Sequence, residues 1–398
     1  MKPRESILAE MAIPRALKIL MIAPQFRPLI GGYERAAERL SSALAARGHA
    51  VTVVTEQRSR SWAAVEEIQG FQIRRLPCVY RRGWHLRTSL ASFGAYLLAR
   101  GLDFDVWHVH QYGMHAVLAS VLGKLMGRPV VLKLTSSRDH GISAVFRTSR
   151  LSRVLAAMLR RVDAVVALTR ETHDEALDFG IPRTRVHIIG NGVDTQAFKP
   201  RSADERRQIR LSLGIDAGGV VLCVGRHDRQ KNLEGLLDAW KLAHDQVPGD
   251  WKLVLIGDGI RGSSIEQRVR SEGLESSVVM LAAQPADRWM AAADVYALAS
   301  NLEGLSNTTL EAMASGVPVV STHVSGAAET LGETGAGLVC DVGRMDLFAE
   351  NLKRLVREQR LRSVMGAAGR RIIESRYAIE SIAEQHETLY CSLMRTSA

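Results

Sequence analysis

The sequence predicts an α/β protein built from two doubly wound, mostly parallel sheets in tandem, facing each other across a cleft. Three observations predict this. Short apolar runs alternate with amphipathic stretches along the whole chain, the rhythm of strands joined by right-handed helical crossovers. The rhythm restarts after a polar stretch near the middle. The chain of 398 residues also exceeds what a single hydrophobic core usually serves.

In the first half, residues 17–24 read as the opening strand. The pair Gly31-Gly32 then leads into a helix over 34–47, with apolar residues at helical spacing. Further strands are expected at 49–55, 106–109, 129–134, 164–168 and 186–189. Residues 191–216 are polar and charged, contain Pro200, and suit an interdomain linker. The second half opens with a buried-strand run at 219–225 and a helix over 232–244. Strands follow at 252–256, 278–281, 295–298, 317–321 and 337–340, and an amphipathic helix over 379–394 ends the pattern. The domains are therefore set at 1–195, 196–375 and a C-terminal helical segment, 376–398, expected to pack back toward the first domain.

Composition narrows the function classes. Hydrophobic residues make up 46% and charged residues 24%, a globular rather than disordered profile. The four cysteines are far apart with no CxxC spacing, so no metal site, no disulfide framework and a reducing cytoplasm are expected. No apolar run reaches the roughly 18 residues of a membrane span. Glu5, Glu10 and Arg15 interrupt the first 16 residues, so no secretory leader is expected there.

The net charge of +10 is uneven. Up to Thr195 there are 28 Lys/Arg against 16 Asp/Glu, and thereafter 24 against 26. The excess is densest over 81–161. Two readings stand: a surface for anionic lipid headgroups at the inner face of a membrane, or a solvated basic face. Aromatic residues are only 5% and no recognition motif is visible, which argues against nucleic acid.

The richest stretch runs from Glu303 to Pro318, with Glu303 and Glu311 bracketing a helix start. Ser306 or Asn307 would cap that helix, and its free N–H groups favour a phosphate. Glu311, one turn in, can accept hydrogen bonds from ribose hydroxyls, as acidic residues do in other nucleotide sites. Glu303 is left to meet the transferred sugar or its phosphate environment. Gly225, Arg226 and Lys231 follow a predicted strand, and two cations there could hold both phosphates of a nucleoside diphosphate. Gly257-Asp258-Gly259 ends another strand, where Gly259 would let the backbone approach a base or ribose.

Here the chain resembles the family-four retaining glycosyltransferases of GT-B fold, which pair two Rossmann-like domains. The resemblance rests on Glu303-Gly304-Leu305-Ser306-Asn307-Thr308-Thr309-Leu310-Glu311-Ala312-Met313-Ala314-Ser315-Gly316-Val317-Pro318. It extends to Gly31-Gly32-x-Glu34, His108-Val109-His110, Asn191-Gly192-Val193-Asp194 and Gly225-Arg226 with Lys231-Asn232.

The resemblance implies several roles. His110, Arg226, Lys231 and Glu303 would be catalytic, with His110 near the reactive carbon of the sugar and Arg226 and Lys231 on the diphosphate. Gly31, Gly32, Gly225, Gly257, Gly259, Leu305, Ser306, Asn307 and Glu311 would bind the nucleotide sugar, and Glu329 would be a further donor contact. It implies front-face transfer to a hydroxyl acceptor in glycoconjugate synthesis, with no cofactor and no metal. His108 is expected on the opposite face of its strand from His110, as a structural core histidine. Asp103-Phe104-Asp105 precedes that strand and reads as a solvated loop.

The chain departs from the family pattern at Ser325-Gly326-Ala327-Ala328-Glu329, at Ala282-Ala283 and at Lys133-Leu134-Thr135-Ser136. An epimerase or hydrolase acting on a sugar nucleotide is the alternative enzyme, and a non-catalytic basic binding protein the alternative without chemistry.

Overall fold

The computed structural model describes residues 16–29, 31–136, 141–146, 150–244, 246 and 249–395. The chain divides into two compact units. One holds the described residues up to Ala167, with His173–Ile189 and the chain from Ala383; the other holds Leu168–Thr172 and Gly190–Ile382.

The first unit is an eight-stranded sheet. Its strands are β1 (Lys18–Ile22), β2 (Ala50–Gln57), β3 (Val65–Ile68), β4 (Phe71–Pro77), β5 (Val106–His110), β6 (Val130–Leu134), β7 (Ala164–Ala167) and β8 (Val186–Ile188). The spatial order is β3-β4-β2-β1-β5-β6-β7-β8. All pairs are parallel except β3 with β4. The order reverses between β1 and β5, and in such sheets a crevice opens there beyond the carboxyl ends of the strands. Val109, Leu132 and Val165 are fully buried, as expected of a parallel sheet covered on both faces.

The hairpin of β3 and β4 was not among the expected strands. Its turn is Gln69-Gly70, both with positive φ (49° and 81°), the conformation that two-residue hairpins favour. On β4, Phe71 and Ile73 are buried while Gln72 and Arg74 are only partly so, a pattern set by the period of two.

The second unit carries six parallel strands: β9 (Gly219–Val224), β10 (Trp251–Ile256), β11 (Val278–Leu281), β12 (Val295–Leu298), β13 (Val319–Thr322) and β14 (Gly337–Cys340). Their order is β11-β10-β9-β12-β13-β14, so the reversal falls between β9 and β12. One face packs around Leu222, Met290, Tyr296 and Met313, and the other around Leu236, Trp240, Phe348 and Leu352. Among the described residues, no helix is long and apolar enough to cross a membrane.

The stretch expected to be a linker is instead an integral part of the second unit. It contains the helix Ala203–Ser212, started by a reciprocal capping box between Ser202 and Glu205. Arg210 on that helix is buried and donates to Asp294 at 2.6 Å and to the Ala292 carbonyl. Further on, Arg370 donates to the carbonyls of Thr195, Phe198 and Ala314. The polarity that suggested solvent exposure serves interior ion pairs and carbonyl contacts.

The C-terminal helix, Ile379–Arg395, belongs to the first unit from Ala383 onward. There Arg47 binds Glu387 at 2.5 Å, and Tyr390 donates or accepts at 2.6 Å with His108 Nδ1.

Asp294 holds both Arg210 and the backbone N–H of Val220. Replacing it (Asp294→Ala) leaves the buried Arg210 cation with the Ala292 carbonyl but without its counter-charge, and the strand-start N–H of Val220 without its acceptor. The expected loss is about 3–5 kcal/mol, read from urea unfolding of the purified protein; a change below about 1 kcal/mol would contradict this account.

Candidate active site

In the second unit the site assembles around the reversal between β9 and β12. Strand β9 ends at Val224, and the chain turns through Gly225, Arg226 and His227 before the helix Leu233–His244. Asp228 Oδ1 accepts from the N–H groups of Gln230 and Lys231, a local turn that fixes where Lys231 leaves the backbone. After β12 the chain runs through Ser300 to Glu303. The two loops are tied together: Gln230 Nε2 donates to the Leu302 carbonyl at 2.8 Å, and Asn301 Nδ2 to the Arg229 carbonyl at 3.1 Å.

Lys231 Nζ meets Glu303 Oε1 at 2.6 Å, and Ser300 Oγ donates to the same oxygen at 2.7 Å. Both partners are largely buried, with side chains 14% and 10% exposed. An ion pair this sheltered contributes little net stability once desolvation is counted, but it holds both groups in one geometry. The Lys231 stem lies over Gly225, where a methyl group would come within 2.8 Å of Cε. Arg226 is different. It is 68% exposed and pairs with Asp228 at 3.4 Å. The structure therefore brings Lys231, Glu303 and Gly225 into contact and sets Arg226 outward on the same loop.

Two glycines hold the neighbouring turn. Gly257 has φ 155°, and a Cβ there would lie 1.8 Å from the Gly225 carbonyl oxygen. A Cβ on Gly259 would lie 2.4 Å from the His227 carbonyl oxygen. These positions are needed for two backbones to pass each other.

Ser306 caps the helix Asn307–Ala314, accepting from the Thr309 N–H at 3.3 Å. Asn307 Oδ1 receives Asn191 Nδ2 at 2.8 Å, which joins the helix start to the Asn191-Gly192 turn. Tyr296 OH reaches Thr308 Oγ1 at 2.6 Å and the Val224 carbonyl, binding the helix start to the end of β9. Glu311 is fully buried one turn in, and Leu305 is buried at the loop. A small pocket beside this start is lined by Leu298, Leu305, Ser306, Thr309, Ser321 and Gly326. Glu329 lies close by, accepting from the Arg170 N–H at 3.2 Å; burial raises its pKa above the usual carboxylate value.

In the first unit, His110 ends β5, next to the reversal between β1 and β5. His108 and His110 do not lie on opposite faces. Residues two apart on a strand share a face, and their rings stack with centroids 4.3 Å apart. Both are fully buried, His110 with Nε2 3.2 Å from Met21 Sδ. Burial holds both imidazoles well below their ordinary pKa, helped for each by nearby Lys133 and His386. The next residue, Gln111, has φ 113°, strained backbone of the kind that collects at functional sites.

Gly31 caps the helix Gly32–Ala46, and a Cβ there would fall 2.2 Å from Glu34 Oε2, so a side chain at this position would displace the Glu34 carboxylate. Glu34 is buried and accepts from Gln25 at 2.5 Å. Asp103 and Asp105 are structural: Asp103 pairs with Arg100, and Asp105 receives the Lys18 N–H at 2.8 Å.

Sequence spacing gave no sign of one further cluster, Glu56, Cys78 and His85, whose potential ligand atoms lie within 4.8 Å of one another. Glu56 there accepts from Ser89 and Tyr80 and pairs with Arg58 at 3.1 Å. Its oxygens are engaged, which describes a hydrogen-bond hub.

The family comparisons agree with this architecture. Residues 205–372 match the family described as Glycosyl transferases group 1, and residues 30–197 match Glycosyltransferase Family 4. The chain is 25% identical over 300 residues to the N-acetyl-alpha-D-glucosaminyl L-malate synthase of Bacillus anthracis, covering 75% of this chain and 77% of that one. It is 28% identical over 373 residues to a GDP-mannose-dependent alpha-(1-6)-phosphatidylinositol monomannoside mannosyltransferase of Mycolicibacterium smegmatis, covering 88% and 92%. Among solved structures, Anabaena HepE in complex with UDP superposes with a TM-score of 0.78 at 21% identity, over 94% of this chain and all of that one. The fold is that of the GT-B glycosyltransferases, each half a Rossmann-like unit. The two models together, Glycosyltransferase Family 4 over the first half and Glycosyl transferases group 1 over the second, make the chain a glycosyltransferase of that family.

The buried histidines set a pH dependence. His108 and His110 stay neutral when folded, and burial pushes His115 down to about 4. The unfolded chain takes up protons at its histidines below about pH 6.5. The folded state refuses them, so stability must fall as pH drops below that value. Thermal melting at pH 7.5 and 5.5 should show a lower Tm at 5.5, and the gap should shrink in His108→Gln. An identical Tm at both values would contradict the assignment.

Proposed function

We propose that this glycosyltransferase moves a sugar from a nucleoside-diphosphate sugar to a hydroxyl acceptor with retention of anomeric configuration and without a metal. The observation that carries the reading is the sheltered Lys231–Glu303 pair joining the loops after β9 and β12, beside the Ser306-capped helix start. A diphosphate there would gain the ammonium of Lys231, the guanidinium of Arg226 and the helix-start N–H groups. Glu303 then keeps Lys231 oriented or meets hydroxyls of the donor sugar, and Glu311 takes the ribose. The GDP-mannose-dependent mannosyltransferases among its relatives support a nucleotide-sugar donor.

In the step itself, the bond from the anomeric carbon to the phosphate oxygen breaks as the acceptor oxygen bonds to that carbon from the same face. The acceptor proton passes to the departing phosphate oxygen. Stabilising that developing charge is the main catalytic contribution, and it falls to Arg226 and Lys231. The acceptor is assigned to the first unit, beside His110. Two relatives carry anionic acceptors in their names, L-malate and D-inositol 3-phosphate.

We place the enzyme in the cytoplasm, in keeping with four free cysteines, and at an anionic membrane surface. Tyr80, Trp84 and Leu86 are 48%, 56% and 47% exposed, and Arg81, Arg82 and Arg87 beside them are exposed as well. Apolar side chains interleaved with cations suit a headgroup layer.

Lys231→Ala should lower kcat by about 100-fold or more while leaving the fold intact by circular dichroism. A near-normal rate with the best donor from a screen of uridine, guanosine and adenosine diphosphate sugars would remove Lys231 from the mechanism. In that screen, product formed without any acceptor would favour the epimerase or hydrolase alternative. Liposome sedimentation should retain the protein on phosphatidylglycerol vesicles at low salt, and Trp84→Ala with Arg81→Glu should release it; equal retention on neutral phosphatidylcholine would remove the membrane reading.

A further inference from the structure

Lys133 lies on β6 directly beside His110, the two being register partners across the parallel β5–β6 pair. Register partners share a face, so Lys133 projects to the same side as His110 and His108. It stands at the carboxyl end of its strand, one residue before Leu134 closes β6, and β5 borders the reversal of strand order. Lys133 is 2% exposed. Its backbone is paired in the sheet, but among the described residues its ammonium makes no hydrogen bond or ion pair, and no carboxylate contributes to its titration. Its titratable neighbours are His108 and His110 on β5, with His386 and Tyr390 on the C-terminal helix beyond them. None supplies a negative charge. A buried ammonium without a counter-charge is costly, and proteins normally pair or neutralise it.

The backbone around this cation is also shaped for a ligand. Gln111, immediately after His110, is held at φ 113°, and Gly113 follows at φ 144°. Strain at a strand's carboxyl end beside a switch in strand order is where open α/β sheets bind ligands.

We propose that Lys133 is the anion-recognition residue of the acceptor site, pairing with a carboxylate or phosphate of the acceptor while His110 lies beside it. The proposal rests on the acceptor being bound by the first unit, as argued above. It adds the substrate class: an acceptor bearing an anionic group close to the hydroxyl that receives the sugar. Burial alone pushes the Lys133 ammonium down to about 8, so it is charged at neutral pH and loses its charge just above it. An anion docked against it would supply the charge that the protein does not. Lysine at this position forms a point-charge contact, which suits carboxylate and phosphate alike.

The test uses the full chain and two small probes, malonate and inorganic phosphate, titrated calorimetrically into wild type, Lys133→Met and Lys231→Ala. Methionine keeps the length of the stem without the charge. Wild type should bind at least one probe at a site that survives in Lys231→Ala and weakens by about tenfold or more in Lys133→Met. Lys133→Met should also melt higher than wild type, because a buried unpaired cation has been removed. If Lys133→Met fails to fold, a malonate titration of wild type from pH 7 to 9 replaces it. Malonate stays fully ionised and His108 and His110 stay neutral over that range, so affinity should fall as Lys133 deprotonates. Anion binding lost in Lys231→Ala but kept in Lys133→Met, no binding of either probe, or an affinity flat from pH 7 to 9 would each overturn the proposal. Nucleoside diphosphate titration of the same proteins separates the two readings: its failure in wild type would sink the transfer reading and leave the anion result standing.

Discussion

The second unit is organised by the reversal of strand order between β9 and β12. Neighbouring parallel strands whose crossovers leave in opposite directions cannot cover the space beyond their carboxyl ends, so two loops are left there without a helix over them. The ion pair between Lys231 and Glu303 joins those loops, with Ser300 as a third partner. Its burial makes it a poor source of net stability and a good means of orientation. The other arrangements around it, from the Asp228 turn to the hydrogen bonds from Gln230 and Asn301, serve to keep the loops in register.

Close packing of backbones is the second constraint. Gly225 lies under the Lys231 stem, and Gly257 and Gly259 lie against the carbonyls of Gly225 and His227. A side chain at Gly257 or Gly259 would push the backbones apart, and one at Gly225 would displace the Lys231 stem. The site is therefore built as much from missing Cβ atoms as from charged groups. Tyr296 completes it from below, its hydroxyl linking the end of β9 to the start of the Asn307–Ala314 helix.

The first unit solves a different problem. Three histidines and a lysine lie close together, with His108, His110 and Lys133 buried, and among the described residues no ion pair neutralises Lys133. Low dielectric keeps His108 and His110 neutral and leaves Lys133 as the charged member. Glu387, by contrast, is placed to meet Arg47 and His49 at the edge of the same C-terminal helix. Among the described residues no carboxylate acts on Lys133, while Glu175 acts on Tyr112 just beyond the end of β5.

Much of this was legible in the chain. Apolar runs fixed most strands because a buried parallel strand needs little beyond continuous hydrophobicity, and the 303–318 stretch announced its helix through Ser306 and the glycine after it. Other features depended on tertiary structure. The β3–β4 hairpin was missed because Arg74, Arg75 and Gln72 mask its alternation. The 191–216 segment looked like a linker because its charges give no sign in sequence of Asp294 and the carbonyls that receive them. The shared face of His108 and His110 follows from strand geometry alone, and that geometry overturned the expectation of opposite faces.

By itself, the sequence determined the class of fold, the family and the candidate residues, because these depend on periodicity, caps and motif spacing within short stretches. Only the tertiary structure decided which of those residues meet. Arg226 and Lys231 are five positions apart, yet one is exposed and the other locked to Glu303 on a loop 72 residues away. Lys133 became notable only when β5 was laid beside β6. Contact and burial are set by how distant segments pack, and desolvation, which decides the charge each group can carry, has no local signature.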